Sequence, residues 1–303
     1  MTADPDHKAP QPKTALAFEM PAGATDCHTH IHGKPSEFPW YEGRVYTPET
    51  AFPEEMAKLH KAIGIGRVVV VTPSVYGTDN RVSVWGMKKL GYPARGVAVI
   101  DDRTSEADLD QLHADGFRGI RLNLSTSGMT DPVVAREKLK GAAQRMARRG
   151  WHVQIFTSLE MVAALKAEIL AAPVPVVLDH FAGAKAALGT GQPGFSDVCD
   201  LLRSGKAYVK ISGAYRASEK GPDFADATPL AQAMIAANSD RIVWGTDWPH
   251  PDSHTVPPMK ATDVRPFHAI DDGLLLNQLP TWAPDSAVRK KILVDNPAVL
   301  YGF

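Results

Sequence analysis

Between residues 67 and 123 the chain reads RVVVVT (67–72), RGVAVI (95–100) and RGIRLN (118–123), three short apolar runs separated by stretches with helical spacing. A run of this length, rich in Val and Ile, suits a strand buried on both faces. Such strands alternating with helices make βα units and a parallel sheet. Working outward, TDCHTH (25–30) precedes these runs, and HVQIFT (152–157), VPVVLD (174–179), AYVKIS (207–212) and RIVWGT (241–246) follow them. Ala, Leu and Met recur at helical spacing over 53–63, 132–149, 159–170 and 224–237. Eight strands alternating with helices predict an α/β chain folded as one (β/α)8 TIM barrel over residues 21–303, in a fold that takes roughly 250 residues before insertions. Residues 1–20 are polar and proline-rich, and read as an arm that is disordered or packs on a neighbour.

Composition narrows the function. With 33 Lys and Arg against 34 Asp and Glu the net charge is −1, and the basic residues form no block, so nucleic acid is not the expected partner. A small molecule is. No stretch approaches the ~20 apolar residues that cross a bilayer, and the first residues lack an apolar signal core, so a cytoplasmic protein is expected. The sequence leaves the oligomeric state open. The two cysteines, Cys27 and Cys199, are too far apart for a CxxC site and read as reduced core residues. GTGQPG (189–194) satisfies GxGxxG but follows KAAL instead of a strand, so it reads as a flexible loop and not a dinucleotide site.

The residues able to do chemistry fall at strand ends, where this fold carries its active sites. His28 and His30 end the first strand. Simple alternation sends both into the barrel mouth and turns Cys27 and Thr29 away. His180 follows the sixth strand and Asp247 the eighth, so three imidazoles and a carboxylate should meet in one space. Arg121 on the fourth strand and Arg216 after the seventh offer planar forks suited to a carboxylate. Tyr76, Thr78, Asn123, Ser125 and Tyr215 are further candidates for contacts to substrate oxygens. Residues 33–52 and 248–282 are long connections placed to cover the mouth. His250, His254 and His268, in or near the second of these, are expected at the surface, with His250 close enough to Asp247 to support it.

TDCHTHIHG, VVLDHFAG and RIVWGTDWPHP, with YGTDN (76–80) and GIRLN (119–123), resemble the amidohydrolase superfamily, and most closely its branch of 2-pyrone-4,6-dicarboxylate lactonase and sugar-acid lactonases. The resemblance runs from about residue 23 to residue 301. It implies a hydrolase that opens a carboxylate-bearing lactone, with Asp247 as general base on water and His28, His30 and His180 polarising the carbonyl. The broader superfamily binds divalent metals through the first-strand HxH pair, a strand-four Lys or Glu, histidines on strands five and six, and the strand-eight Asp. Here strand four ends in Asn123 and strand five in Phe156 and Thr157, so two ligand positions are missing. No cofactor is expected to be required; zinc or manganese is the alternative, with His28, His30 and Asp247 as its ligands. Arg121 and Arg216 match arginines that contact substrate carboxylates in the pyrone enzyme. A further arginine of that enzyme is replaced by the stretch LSTSGMT (124–130), which implies a substrate with one carboxylate, of sugar-acid or muconolactone type. A lactone isomerase or a metal-dependent decarboxylase on the same barrel are the alternatives, and a non-catalytic binding protein the least favoured reading.

Overall fold

The computed structural model describes residues 9–253 and 258–303. Eight parallel strands pair in sequence order: β1 Thr25–Thr29, β2 Arg67–Val71, β3 Ala94–Ala98, β4 Phe117–Asn123, β5 His152–Phe156, β6 Val176–Leu178, β7 Ala207–Ser212 and β8 Ile242–Gly245. The expected strands are all present, with bounds that differ from those expected by at most two residues. The barrel closes where Asp247 N donates to His28 O and His30 N to Trp248 O, both at 2.8 Å. Gly245 permits that closure: a Cβ there would lie 2.7 Å from the His28 nitrogen. Helices including Pro53–Ala62, Arg81–Lys89, Glu106–Ala114, Pro132–Ala147, Phe195–Arg203 and Thr228–Ala237 surround the strands. The helix expected over 159–170 breaks at Leu165 into Leu159–Ala164 and Lys166–Ala171. The one expected from 224 starts at Thr228, because Phe224 takes a left-handed conformation (φ 53°).

Alternation fails at one point of consequence. The β1–β2 pairing shifts register between Asp26 and Thr29, so β1 carries a bulge. Cys27 then packs in the inner cluster with Val69, Val71, Val97, Val177, Tyr208 and Val243, contrary to the outward position expected of it. His28 still reaches the barrel interior, as its contacts below show. A bulge places two residues against one and so re-aims the side chains after it.

The two long connections join one another. Thr47–Pro48 and Val264–Arg265 form a short parallel pair, and His32, buried after β1, stacks on Phe267 at 5.8 Å. Residues from Ala9 onward are held against the barrel: Ala9 N donates to Glu55 Oε1 (2.9 Å), Thr14 Oγ1 to Asp271 Oδ2 (2.6 Å), and Trp248 Nε1 to Pro10 O (2.8 Å). Cys27 and Cys199 are buried free thiols. Among the described residues no helix is long and apolar enough to cross a membrane. The loop containing GTGQPG is tied down by Gln192, which accepts from Lys185 N and donates to Lys185 O, both at 2.9 Å, so the flexible loop expected there is an ordered one.

Candidate active site

β1, β6, β7 and β8 deliver the reactive groups to one point. Nε2 of His28 and Nε2 of His30 each lie 3.6 Å from Asp247 Oδ1, and Nε2 of His180 lies 3.9 Å from it. Oδ1 is buried without a hydrogen-bond partner, as is His28 Nε2. The other oxygen, Oδ2, accepts from Tyr215 Oη (2.6 Å) and Arg216 Nε (2.5 Å). One oxygen of the carboxylate is therefore fixed, and the other is surrounded by the three imidazoles; Asp247, His28 and His30 are buried behind the cavity wall. His30 is set by Nδ1 against Val71 O at 2.8 Å, and His180 by Nδ1 against Ser212 Oγ at 3.0 Å.

The backbone aims two of these groups. His180 (φ 49°) and Asp247 (φ 66°) are both left-handed, a conformation that Asp and His tolerate better than bulky residues do. Gly213 (φ 56°), just past β7, fits beneath them: a Cβ there would stand 3.1 Å from Asp247 Oδ2 and 3.1 Å from His180 Nδ1. An alanine is both strained and crowded. Gly213→Ala should cost about 1–2 kcal/mol from the left-handed backbone alone and lower turnover by displacing Asp247. Urea denaturation together with a steady-state assay checks this; a variant equal to the parent in both would refute it.

Beneath the histidines lies a charged network that the sequence reading did not single out. Lys210, in the middle of β7 and wholly buried, donates to Gln154 Oε1 (2.7 Å) and contacts His28 Nδ1 (3.2 Å). Asp179 Oδ2 accepts from Arg121 Nε (3.0 Å) and Gln154 Nε2 (3.0 Å), and lies 2.9 Å from Arg121 Nη2. The available signal was a Lys and a Gln inside otherwise apolar strand runs, AYVKIS and HVQIF. Tyr46, buried in the first long connection, is a second omission: it hydrogen-bonds Ser74 and feels the charges of Arg216, Arg121 and Asp247.

Burial and charge set the ionisation. Burial, then Lys210, pushes the His28 imidazolium pKa well below its usual value, and burial lowers His180 to about 4. Burial alone would raise Asp247, but Arg216 and the histidines outweigh it and hold the carboxyl well below the ordinary range. Burial likewise opposes the Asp179 charge, yet Arg121 and Lys210 hold its carboxyl well below the ordinary range. Burial brings Lys210 down to about 8. Three cations (Arg121, Lys210, Arg216) thus face two carboxylates (Asp179, Asp247) beneath the histidines.

A cavity of about 820 Å³ opens beside the cluster, lined by His180, Phe156, Tyr215 and Arg216 at its inner end and by Ser125, Lys185 and His268 further out. Of the expected substrate contacts, Ser125, Tyr215 and Arg216 line it. Asn123 ends β4, its Oδ1 buried and unpartnered. Arg121 is committed to Asp179, and Arg216 to Asp247 and Pro251 O (3.2 Å). Tyr76 is buried in the first connection, where its Oη accepts from Gly33 N at 3.0 Å, and Thr78 is exposed; neither lines the cavity. His250 is buried and paired to Asp272 (3.0 Å) instead of lying at the surface; its ring packs edge-on against Tyr215. His268 is exposed, as expected, and stands at the cavity wall, and His254 lies outside the described residues.

A divalent ion fits the donors only in part. Among the described residues His28, His180 and Asp247 offer ligand atoms within 4.8 Å of one another, a set with His180 where the sequence reading placed His30. A metal-bound imidazole ordinarily turns its second nitrogen to an acceptor. That of His28 lies 3.2 Å from the Lys210 ammonium as well as 3.2 Å from Asp179 Oδ1, and Asp247 is already held by a guanidinium. An added double positive charge would meet those cations at short range, which weighs against a resident metal.

The chain is similar to known proteins over nearly its whole length. The chain is 35% identical to the 2-pyrone-4,6-dicarboxylate hydrolase of Comamonas testosteroni, covering 94% of this chain and 92% of that one. It is 32% identical to the 4-sulfomuconolactone hydrolase of Rhizobium radiobacter, covering 98% and 96%. A crystal structure of an Agrobacterium tumefaciens protein in its apo state superposes with a TM-score of 0.80 at 25% identity, covering 95% and 99%. The amidohydrolase family model matches residues 25–303, so with its barrel, its first-strand histidine pair and its strand-eight aspartate the chain belongs to the amidohydrolase family.

Proposed function

We propose that the protein is a lactone hydrolase acting on a small carboxylate-bearing cyclic ester, and that it works through its own residues without a bound metal. The observation that carries this reading is the unpartnered Oδ1 of Asp247, ringed by three imidazole nitrogens at 3.6–3.9 Å beside an open cavity. A carboxylate kept ionised and desolvated on one side is a competent general base. Water placed between Oδ1 and the lactone gives its proton to Asp247 as its oxygen attacks the acyl carbon. The carbonyl electrons move to oxygen, where an imidazole N–H holds the developing charge. Collapse breaks the ring C–O bond, and the proton held on Asp247 passes to the leaving oxygen, giving the open-chain acid.

Two of the histidines divide this work. His30 Nδ1 faces a carbonyl and must donate to it, so its Nε2 carries a lone pair in the neutral ring and suits the water better than the carbonyl oxygen. His28 is the donor. The names of the relatives, a pyrone dicarboxylate hydrolase and a sulfomuconolactone hydrolase, support a lactone bearing acid groups. Lys185, exposed on the cavity wall and bonded to Arg216 O at 2.8 Å, supplies a cation that the sequence reading had counted as missing.

The test is ring-opening of a panel of sugar-acid and muconate-type lactones before and after exhaustive chelation. Turnover should be unchanged by chelation and by added zinc or manganese. Activity that disappears and returns with metal would overturn the metal-free mechanism; products that remain cyclic would replace hydrolysis with isomerisation.

A further inference from the structure

We propose that Lys210 is a positioning residue that fixes the proton of His28 on Nε2, making that imidazole the hydrogen-bond donor of the site and unfitting it as a metal ligand. The role given to the Nε2 proton rests on the lactonase reading above, but its location does not.

The chain of partners favours one assignment. Asp179 is ionised and can only accept, so Gln154 must turn its amide Nε2 toward Oδ2 (3.0 Å). Its Oε1 then faces Lys210 Nζ at 2.7 Å and takes one proton of the ammonium. An ammonium has donors and no acceptor, so its contact with His28 Nδ1 at 3.2 Å requires a lone pair on Nδ1. The competing arrangement, with Nδ1–H given to Asp179, has the distance, since Oδ1 lies 3.2 Å away. It lacks the direction, for Oδ1 makes no hydrogen bond. A neutral ring with a lone pair on Nδ1 carries its proton on Nε2, the atom that points at Asp247 Oδ1 and the reaction space. Gln154, Asp179 and Lys210 come from three adjacent strands, so the assignment is built into the barrel wall.

The same proton decides metal chemistry. A metal needs the Nε2 lone pair, and Lys210 removes it. Without the ammonium, the ring can turn until Nδ1 donates to Asp179, and Nε2 then becomes a ligand atom of the ordinary kind.

Nitrogen-15 NMR of the histidine rings in the resting full-length protein, with His28 assigned through His28→Asn, tests this without substrate. The expected result is a pyridine-type Nδ1 and a pyrrole-type Nε2 for His28. The reverse pattern overturns the proposal, whatever the lactonase activity proves to be; absent lactonase activity with the expected pattern overturns the functional reading and leaves the tautomer assignment standing. In Lys210→Met the ring should switch to Nδ1–H, kcat should fall about 100-fold, the scale of losing one oxyanion donor, with KM little changed, and zinc should bind more tightly by calorimetry. Lys210→Gln, whose amide can still donate to Nδ1, should keep the parent tautomer and most of kcat. Equal losses in both variants with the His28 pattern unchanged would reduce Lys210 to a packing role and overturn the proposal. If neither variant folds, the spectrum of the parent protein still decides.

Discussion

Asp247→Asn should lower kcat by about 10²- to 10⁴-fold, the usual worth of a positioned general base, while a substrate or product analogue binds nearly as before. The amide matches the carboxylate in shape and can keep its oxygen toward Tyr215 and Arg216, the two groups that hold Oδ2. It cannot take a proton from water at Oδ1. Binding by calorimetry and turnover by ring-opening separate these outcomes. Parent-like turnover in the variant would remove Asp247 from the base role and move the search to the histidines.

Asp179→Ala should destabilise the fold by about 3–5 kcal/mol, the cost of stripping the partner from a buried ion pair. That is a large share of the roughly 5–15 kcal/mol that holds a domain together. Arg121 and Lys210 are both buried, and Asp179 is the carboxylate that faces both of them. Removing it leaves two desolvated cations and an unpaired Gln154 amide. Equilibrium urea denaturation measures the loss. A shift of a few tenths of a kcal/mol would mean that water or relaxation solvates the cations, and that the network matters less to the fold than its burial implies.

The sequence made the barrel legible because a parallel sheet covered on both faces demands continuous apolar runs, and eight of them stand in order. It also made His28, His30, His180 and Asp247 legible as a group, because each sits at a strand's C-terminal end and the fold gathers those ends. It was less informative about what surrounds them. Lys210 and Gln154 are single polar letters in apolar strands, and nothing local says that they face each other across the wall. Arg121 and Arg216 looked like free carboxylate forks; the fold pairs each with an aspartate that lies far from it in sequence. His250 looked exposed, since its loop is proline-rich, yet Asp272 and Tyr215 enclose it.

By itself, then, the order of residues determined the barrel, the strand ends that carry chemistry and the types of group delivered there, because hydrophobic periodicity is a local property of the chain. Tertiary structure alone decided the bulge that turns Cys27 inward, the left-handed turns that aim His180 and Asp247, and the partners that fix each imidazole's proton. Those depend on contacts between strands that lie far apart in the sequence, and a hydrogen bond's direction exists only once both of its ends are in place.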